Sequence, residues 1–132
     1  MKINLNLKKK QSITGFDNES SNSVYKEFHE HSWRSSDDEF PLPKHLKILY
    51  ADYTYEDYSG DAYVLGYNFD KQQWFEVHGG HCSCYGLEDQ WDEEYYDSKD
   101  QLIAVIKKRF SNKSKWGRYA ESSEELKKWL EE

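Results

Sequence analysis

The side chains best suited to chemistry are concentrated in one stretch, residues 74–97, with the sequence WFEVHGGHCSCYGLEDQWDEEYYD. This stretch contains both cysteines of the protein and two of its five histidines, His78 and His81. Thiolates and imidazoles are common zinc ligands, and a thiolate is also a nucleophile. Cys82 and Cys84 therefore suggest two kinds of site, a metal site and a catalytic cysteine.

The metal interpretation depends on the spacing of the ligands. Structural zinc is held tetrahedrally, usually by two ligand pairs that are well separated in the chain. The four candidate ligands of the stretch fall within seven residues, which one ion could not easily accept. The better zinc candidate combines two separated pairs, Cys82, Cys84, His29 and His31. Because this set lacks the spacing of specific zinc motifs, packing of the cysteines as small hydrophobic residues is favoured, and no cofactor is expected.

Catalysis by the cysteines is not favoured. A disulfide across a single intervening residue would be strained. A nucleophilic cysteine needs cationic surroundings that lower its pKa, whereas the nearby Glu88 and Asp89 would raise it. Paired carboxylates are not informative in a chain with 25 acidic residues, since many such pairs arise by chance. The protein is therefore expected not to be an enzyme.

The composition indicates a single cytoplasmic domain. A chain of 132 residues is long enough for one core, and its 22 Phe, Trp and Tyr residues must supply much of that core. We expect residues 1–132 to form one domain, with a variable N-terminal region at 1–45 and the main fold at 46–132. No apolar run has the length of a membrane span, and no signal-peptide pattern is present, so no membrane partner is expected.

The charge is very unevenly distributed. Residues 52–100 contain 13 acids against Lys71 and Lys99, a net charge of −11, whereas residues 1–51 carry +1 and residues 101–132 carry +3. A block this acidic repels phosphates and attracts basic surfaces. Direct binding of nucleic acid through the middle of the chain is therefore not expected.

Alternating apolar residues predict the strands. A short edge strand is predicted at Lys2–Leu7, and a meander is predicted from Leu46 toward Tyr55, along Ala62–Phe69 and from Trp74 to His78. Gly79 and Gly80 are predicted to end the third strand, so that residues 81–85 form a tight loop. Short connections make neighbouring strands antiparallel.

Helical spacing predicts the remaining elements. One helix begins at Ser98, with Gln101 completing a capping box and an apolar stripe of Leu102, Val105, Ile106 and Phe110. A second begins at Ser122, with a stripe of Leu126, Trp129 and Leu130. The polar composition of residues 11–38 indicates little burial, although Val24, Tyr25, Phe28 and Trp33 could share a face of a short helix capped by Asn22 or Ser23. The predicted fold is α+β, a three-stranded antiparallel meander covered by C-terminal helices, with a polar, partly irregular N-terminal region.

Two segments carry a resemblance to known proteins. YEDYSGDAYVL at 55–65 and HGGHCSCYGLEDQW at 78–91 resemble a group of small proteins encoded by bacteriophages and prophages, with a Y-x-x-Y-S-G turn before a strand pair and an H-C-S-C-Y-G-L-E-x-Q-W loop. The likeness covers residues 46–105. It implies an accessory protein of a mobile element, with counter-defence roles such as anti-CRISPR inhibition, and it transfers no catalytic residues.

The acidic block and the resemblance together suggest a binding function. Inhibitors of nucleic-acid enzymes can place carboxylates where phosphates would lie, and aromatic residues can anchor the interface. The expected partner is a bacterial defence nuclease such as a CRISPR effector protein. The expected partner-binding residues are Glu56, Asp57, Tyr58, Asp61, Glu88, Asp89, Trp91, Asp92, Glu93, Glu94, Tyr95, Tyr96 and Asp97. Three alternatives stay open: a small zinc-binding regulatory or nucleic-acid module, an enzyme that uses the cysteine loop, and an acidic face that only maintains solubility.

Overall fold

The computed structural model of the protein describes residues 2–29, 41–54, 59–82, 86–111 and 120–132. In these ranges the chain forms one five-stranded sheet, three α-helices and a short 3₁₀ turn at Asp17–Glu19. The strands are β1 (Ser12–Thr14), β2 (Leu46–Tyr53), β3 (Ser59–Asn68), β4 (Gln73–Cys82) and β5 (Glu94–Tyr96). The helices are α1 (Ser21–His29), α2 (Lys99–Ser111) and α3 (Ala120–Glu131).

The sheet has the strand order β1-β2-β3-β4-β5. β1 pairs with β2 in parallel, and the other neighbours are antiparallel. The α+β class and the central meander β2-β3-β4 are confirmed. The predicted three strands were too few, because the short strands β1 and β5 add one neighbour at each side of the meander.

A β-bulge in β2 changes which side chains reach the helices. The register with β3 shifts between Ile48 and Tyr50, so that Leu49 and Tyr50 both join the core that packs under α2 and α3. A bulge inserts one residue into one strand and restarts the alternation of its side chains. Asp52, two residues after Tyr50, therefore faces the same helices.

Helices α2 and α3 cover one face of the sheet, as predicted. Leu102 and Ile106 of α2 and Leu126 and Leu130 of α3 are almost completely buried there. Ser98 caps α2, because its Oγ accepts a hydrogen bond from the Gln101 amide at 3.1 Å. The start of α3 lies at Ala120 rather than at Ser122.

Helix α1 covers the opposite face, which the sequence did not predict. Val24 and Phe28 are fully buried against the sheet, so the predicted lack of burial is wrong for the described part of residues 11–38. The predicted cap is also wrong: Ser20 Oγ accepts the Ser23 amide at 3.2 Å. Asn22 instead accepts the Leu42 amide at 2.9 Å. Trp33 lies outside the described residues.

The N-terminal segment Lys2–Leu7 is not a strand, in contrast to the prediction. Its backbone reaches the end of α3, where the Asn4 amide donates to the Leu130 carbonyl at 2.7 Å. Leu5 is 3% exposed and joins the core beneath that helix. The alternating apolar residues therefore reflect contact with a helix, and β1 takes the edge of the sheet.

The predicted end of the third strand at Gly79 and Gly80 is also wrong, because β4 continues to Cys82. Gly79 lies where Phe28 crosses the sheet: a Cβ at this position would stand 2.9 Å from Phe28 Cε1 and 3.0 Å from Leu87 Cδ2. The glycine therefore permits close packing inside a strand. His81 follows at 3% exposure and stacks on Tyr53 with a centroid distance of 4.2 Å.

None of the helices in the described ranges has both the length and the apolar character needed to cross a membrane.

We expect Trp129→Ala to lower the free energy of unfolding by about 3 kcal/mol. The indole is 5% exposed, packs on Tyr50 at a centroid distance of 5.4 Å and donates to the Lys10 carbonyl at 2.8 Å. It also borders a surface cavity of 240 Å³, which water can enter after truncation, so the loss should lie at the lower end for a buried tryptophan.

Urea unfolding measures this loss, with Phe69→Ala as the control because Phe69 is 46% exposed. Equal midpoints for Trp129→Ala and the wild type would show that the Trp129 indole contributes nothing to stability.

Candidate functional site: the acidic aromatic face

The candidate site is the segment of residues 88–97, called here the acidic aromatic face. The turn before it is anchored by Leu87, which is 1% exposed and packs between Phe28 and Gly79. The Asp89 amide donates to the Phe28 carbonyl at the end of α1, at 3.1 Å. The start of the face is thus attached to both α1 and β4.

Gln90 holds the backbone of this segment against β4. Its side-chain oxygen accepts the Gly80 amide at 2.8 Å, and its nitrogen donates to the carbonyls of Gly80 and Gly86 at 2.7 Å each. The side chain therefore pairs with Gly80 in the way that a neighbouring strand would. Gln90 thereby provides hydrogen-bond partners for backbone groups of β4 at a part of the sheet edge that β5 does not reach.

We expect Gln90→Ala to destabilise the protein by about 1–3 kcal/mol, because three hydrogen bonds are lost and the Gly80 groups lose their partner. Thermal unfolding followed by tryptophan fluorescence provides the measurement. The control is Gln73→Ala, because the hydrogen bond from the Gln73 side chain to Asp97 is long at 3.5 Å. Equal melting temperatures for the two variants would contradict the role of Gln90.

Trp91 packs the acidic aromatic face against α1. Its ring lies edge-on to Tyr25 and Phe28, each at a centroid distance of 5.3 Å, and 6.0 Å from Phe75 of β4. His29 lies at 5.8 Å and stacks on Tyr25. Trp91 is therefore half-buried and structural on one side, and it remains accessible on the other.

Glu93 lies at the centre of the aromatic groups. Its Oε2 accepts the Trp91 indole N–H at 3.0 Å, and its Oε1 accepts the Tyr95 hydroxyl at 2.6 Å. Burial, with the hydrogen bond to Glu93 next, raises the pKa of Tyr95 to about 12. The Tyr95 oxygen also accepts from Asn68 at 3.0 Å, and Lys71 Nζ lies 4.4 Å from the ring centroid.

The predicted partner-binding residues divide into three groups. Asp89, Asp92, Glu94 and Asp97 are exposed, and Glu88, Trp91, Glu93 and Tyr95 are half-buried on the same segment. Glu56, Asp57 and Tyr58 lie outside the described residues. Two predictions are wrong: Asp61 is 4% exposed in β3, and Tyr96 is 9% exposed with its hydroxyl donating to Glu76. Both face the core because strand alternation turns them inward.

A second polar cluster lies inside the protein, around Glu76 of β4. This side chain is 0% exposed and accepts hydrogen bonds from the hydroxyls of Tyr63 and Tyr96. Arg109 of α2 donates to Oε2 at 2.7 Å, whereas His78 Nε2 lies 3.9 Å from Oε1, beyond hydrogen-bond distance. Burial raises the pKa of Glu76, but these groups more than offset it and lower the value to about 2.

Asp52 is a second buried carboxyl, on the same face as Glu76 but in a different environment. It is 5% exposed, and in the described part of the chain its Oδ1 and the Tyr50 hydroxyl have no hydrogen-bond partner. Burial raises the pKa of Asp52 to about 7. The neighbouring Tyr50 hydroxyl lowers this pKa in part, and the charge of Glu125 on α3 raises it further.

Only part of the zinc candidate lies within the described residues. Cys84 and His31 lie outside them, and Cys82 is the last residue of β4. His29 donates its Nδ1–H to the Tyr25 carbonyl at 2.7 Å, and its ring stacks on the Tyr25 ring. Within the ranges given above, no group of three metal-ligating side chains is found.

The sequence did not predict the Glu76 cluster or the role of Gln90. Glu76 gave one usable signal, an acid in the middle of an otherwise apolar strand, which implies a buried partner. Its partner Arg109 lies 33 residues further along the chain, so spacing could not identify it. Gln90 gave no signal in the sequence. Its hydrogen-bond partners are backbone groups of Gly80 and Gly86, and backbone groups do not depend on the residue type.

The chain was also compared with known proteins. Comparison with protein-family models, with curated proteins and with solved structures found no match. The resemblance to phage-encoded proteins therefore stays a prediction that rests on the two segments that carry it. The function has to be inferred from the geometry of the acidic aromatic face.

Proposed function

We propose that this protein is a phage-encoded counter-defence protein, an anti-CRISPR inhibitor that binds a bacterial nuclease effector where nucleic acid would bind. The observation that carries the proposal is the acidic aromatic face, where exposed carboxylates project from a segment whose backbone is held by Gln90. The resemblance of residues 46–105 to phage proteins supports this class of partner. The site of action is the cytoplasm of the bacterial host.

The charge of the face fits such a target. Residues 88–97 contain six acids and no lysine or arginine. Nucleic-acid channels are lined by lysine and arginine that neutralise phosphates. A dense carboxylate surface is attracted to such a channel over a Debye length and competes with the natural ligand.

The frame of the face favours binding over mere solubility. Trp91 packs on α1, Glu93 is fixed by two hydrogen bonds, and Gln90 ties the backbone to β4. Groups that are already ordered lose little conformational entropy when a partner binds. A face that served only solubility would not require this ordering.

The test is inhibition of a panel of purified CRISPR nucleases, followed by binding kinetics with any nuclease that is inhibited. In the variant Asp92→Asn/Glu94→Gln/Asp97→Asn three exposed charges are removed at nearly constant size. We expect the association rate to fall by about tenfold or more at low salt, with a smaller change in dissociation, because long-range charge pairs act mainly on association. Raising the salt concentration should reduce the difference.

The matched control is Asp70→Asn/Glu124→Gln/Glu131→Gln, which removes three exposed charges elsewhere on the chain. It should leave inhibition within about twofold of the wild type if only the acidic aromatic face engages the channel. Equal effects of the two triple variants would indicate general charge attraction. Inhibition unchanged in both would exclude mimicry of phosphate as the mechanism.

A further inference from the structure

We propose that Glu93 and the rings of Trp91 and Tyr95 form a receptor for the guanidinium group of one arginine of the partner. This inference rests on the proposed function, because it names the chemical group that the acidic aromatic face recognises. The other acids of the face supply attraction at a distance. Glu93 supplies a defined geometry.

The Glu93 carboxylate is oriented before any partner binds. One oxygen accepts the Trp91 indole N–H at 3.0 Å and the other accepts the Tyr95 hydroxyl at 2.6 Å. An ionised carboxylate oxygen can accept two hydrogen bonds, so each oxygen retains one acceptor position. Two parallel acceptors are the arrangement that the planar fork of arginine fits.

The aromatic surface beside Glu93 already accepts a cation from the chain itself. Lys71 Nζ, in the turn between β3 and β4, lies 4.4 Å from the centroid of the Tyr95 ring. This is the distance of a cation–π contact, and guanidinium makes the same contact with the added ability to stack. The charge of Glu93 also acts on Tyr25. Burial, and after it the charge of Glu93, raises the pKa of the Tyr25 hydroxyl.

Arginine fits this arrangement better than lysine or a metal ion does. A metal would need several oxygen, nitrogen or sulfur ligands, and the described residues contain no group of three. An ammonium is a compact point charge that cannot use two parallel acceptors and a ring face together. Asp92 and Glu94 are exposed, whereas Glu93 is half-buried and hydrogen bonded to the side chains of Trp91 and Tyr95.

The probe is a blocked Gly-Arg-Gly peptide, titrated into the full chain and followed by the indole N–H resonance of Trp91. We expect a saturable shift with a Kd on the order of 1 mM, which is the range for one small contact. The peptide with citrulline in place of arginine is nearly isosteric but neutral and should give no shift. The lysine peptide should bind about fivefold more weakly or worse. The Trp129 indole, which donates to the Lys10 carbonyl at 2.8 Å, is the internal control and should not respond.

Variants then separate the receptor from general attraction. Glu93→Gln should weaken the arginine peptide by about tenfold, whereas the neighbouring Glu94→Gln should weaken it by less than about twofold. Lys71→Met should tighten binding by about twofold, because it removes the cation that competes for the Tyr95 ring. Equal losses in Glu93→Gln and Glu94→Gln, or equal binding of the lysine peptide, would overturn the proposal.

The wild-type titration decides the question even if a variant is unstable, since absence of a saturable Trp91 shift overturns the receptor. The outcome is also separable from the proposed function. Binding of the peptide without inhibition of any nuclease would keep the receptor and reject the inhibitor. Inhibition that depends on Asp92, Glu94 and Asp97 but not on Glu93 would keep the inhibitor and reject the receptor.

Discussion

Replacing Arg109 by methionine is expected to lower the free energy of unfolding by about 3–5 kcal/mol at neutral pH, the largest loss expected for any single change discussed here. The guanidinium donates to Glu76 Oε2 at 2.7 Å, and Glu76 is fully buried in the sheet. Removing Arg109 leaves a charged carboxylate in the core with hydroxyl donors but without its cation. Breaking a buried pair on one side costs more than the pair contributes when intact.

The loss should depend on pH in a defined direction. In the wild type the pKa of Glu76 is lowered from 4.5 to about 2, so its contribution to stability is complete above pH 4.5 and is lost as pH falls towards 2. Without Arg109, the effect of burial on the pKa of Glu76 is offset far less, so this pKa rises. The variant should therefore lose further stability as pH rises through that higher pKa.

Urea unfolding at pH 3, 5 and 7 measures both effects. The matched control is Lys108→Met, an exposed cation of the same helix, which should change stability by less than about 0.5 kcal/mol. The double variant Glu76→Gln/Arg109→Met removes both charges and should recover much of the loss. A loss in Arg109→Met that is the same at all three pH values would contradict an uncompensated Glu76 charge as its cause.

Asp52→Asn is expected to stabilise the protein by up to about 4 kcal/mol at pH 8 while changing little at pH 4. Burial raises the pKa of Asp52 from 3.8 to about 7, so the folded state holds a proton that the unfolded state has released between these values. Stability from this group is therefore complete below pH 3.8 and is lost as pH rises through 7. Asparagine has the same shape and cannot ionise, so the decrease of stability with rising pH should disappear.

The same effect can be reached from α3. The charged or titratable groups that influence Asp52 are Tyr50, Asp61, His78 and Glu125. Glu125→Gln removes the exposed negative charge that raises the pKa of Asp52. The pKa of Asp52 in the folded state should therefore move down toward 3.8, so the stability lost between pH 4 and 8 should become smaller. Unfolding free energies between pH 4 and 8 decide this, with Asp92→Asn as an exposed control. A wild type and an Asp52→Asn variant with parallel pH profiles would contradict a protonated Asp52 in the fold.

The three buried carboxyls show why acidic residues could not be interpreted from composition alone. Asp52, Asp61 and Glu76 all belong to the acidic block of residues 52–100, yet each is at most 5% exposed. The pairing of strands turns these three into the core, while Asp92 and Glu94 stay on the surface. The charge count therefore overstated the exposed negative charge.

The sequence by itself determined the elements that depend on neighbouring residues. The three central strands follow from alternation, and α2 and α3 follow from apolar stripes and, for α2, from the Ser98 cap. These features are local because they depend on the backbone period and on hydrogen bonds that span a few residues. The exposed carboxylates of Asp89, Asp92, Glu94 and Asp97 belong to the acidic block that the charge count identified.

The tertiary structure alone decided which distant residues meet. The bulge at Leu49 turns Tyr50 and Asp52 toward α3, Gly79 gives Phe28 room to cross β4, and α1 covers a face that the polar N-terminal composition did not indicate. Glu76 meets Arg109, and Gln90 meets Gly80, only because the strands bring them together. These contacts depend on burial and close packing between segments far apart in the chain, and no local period encodes them.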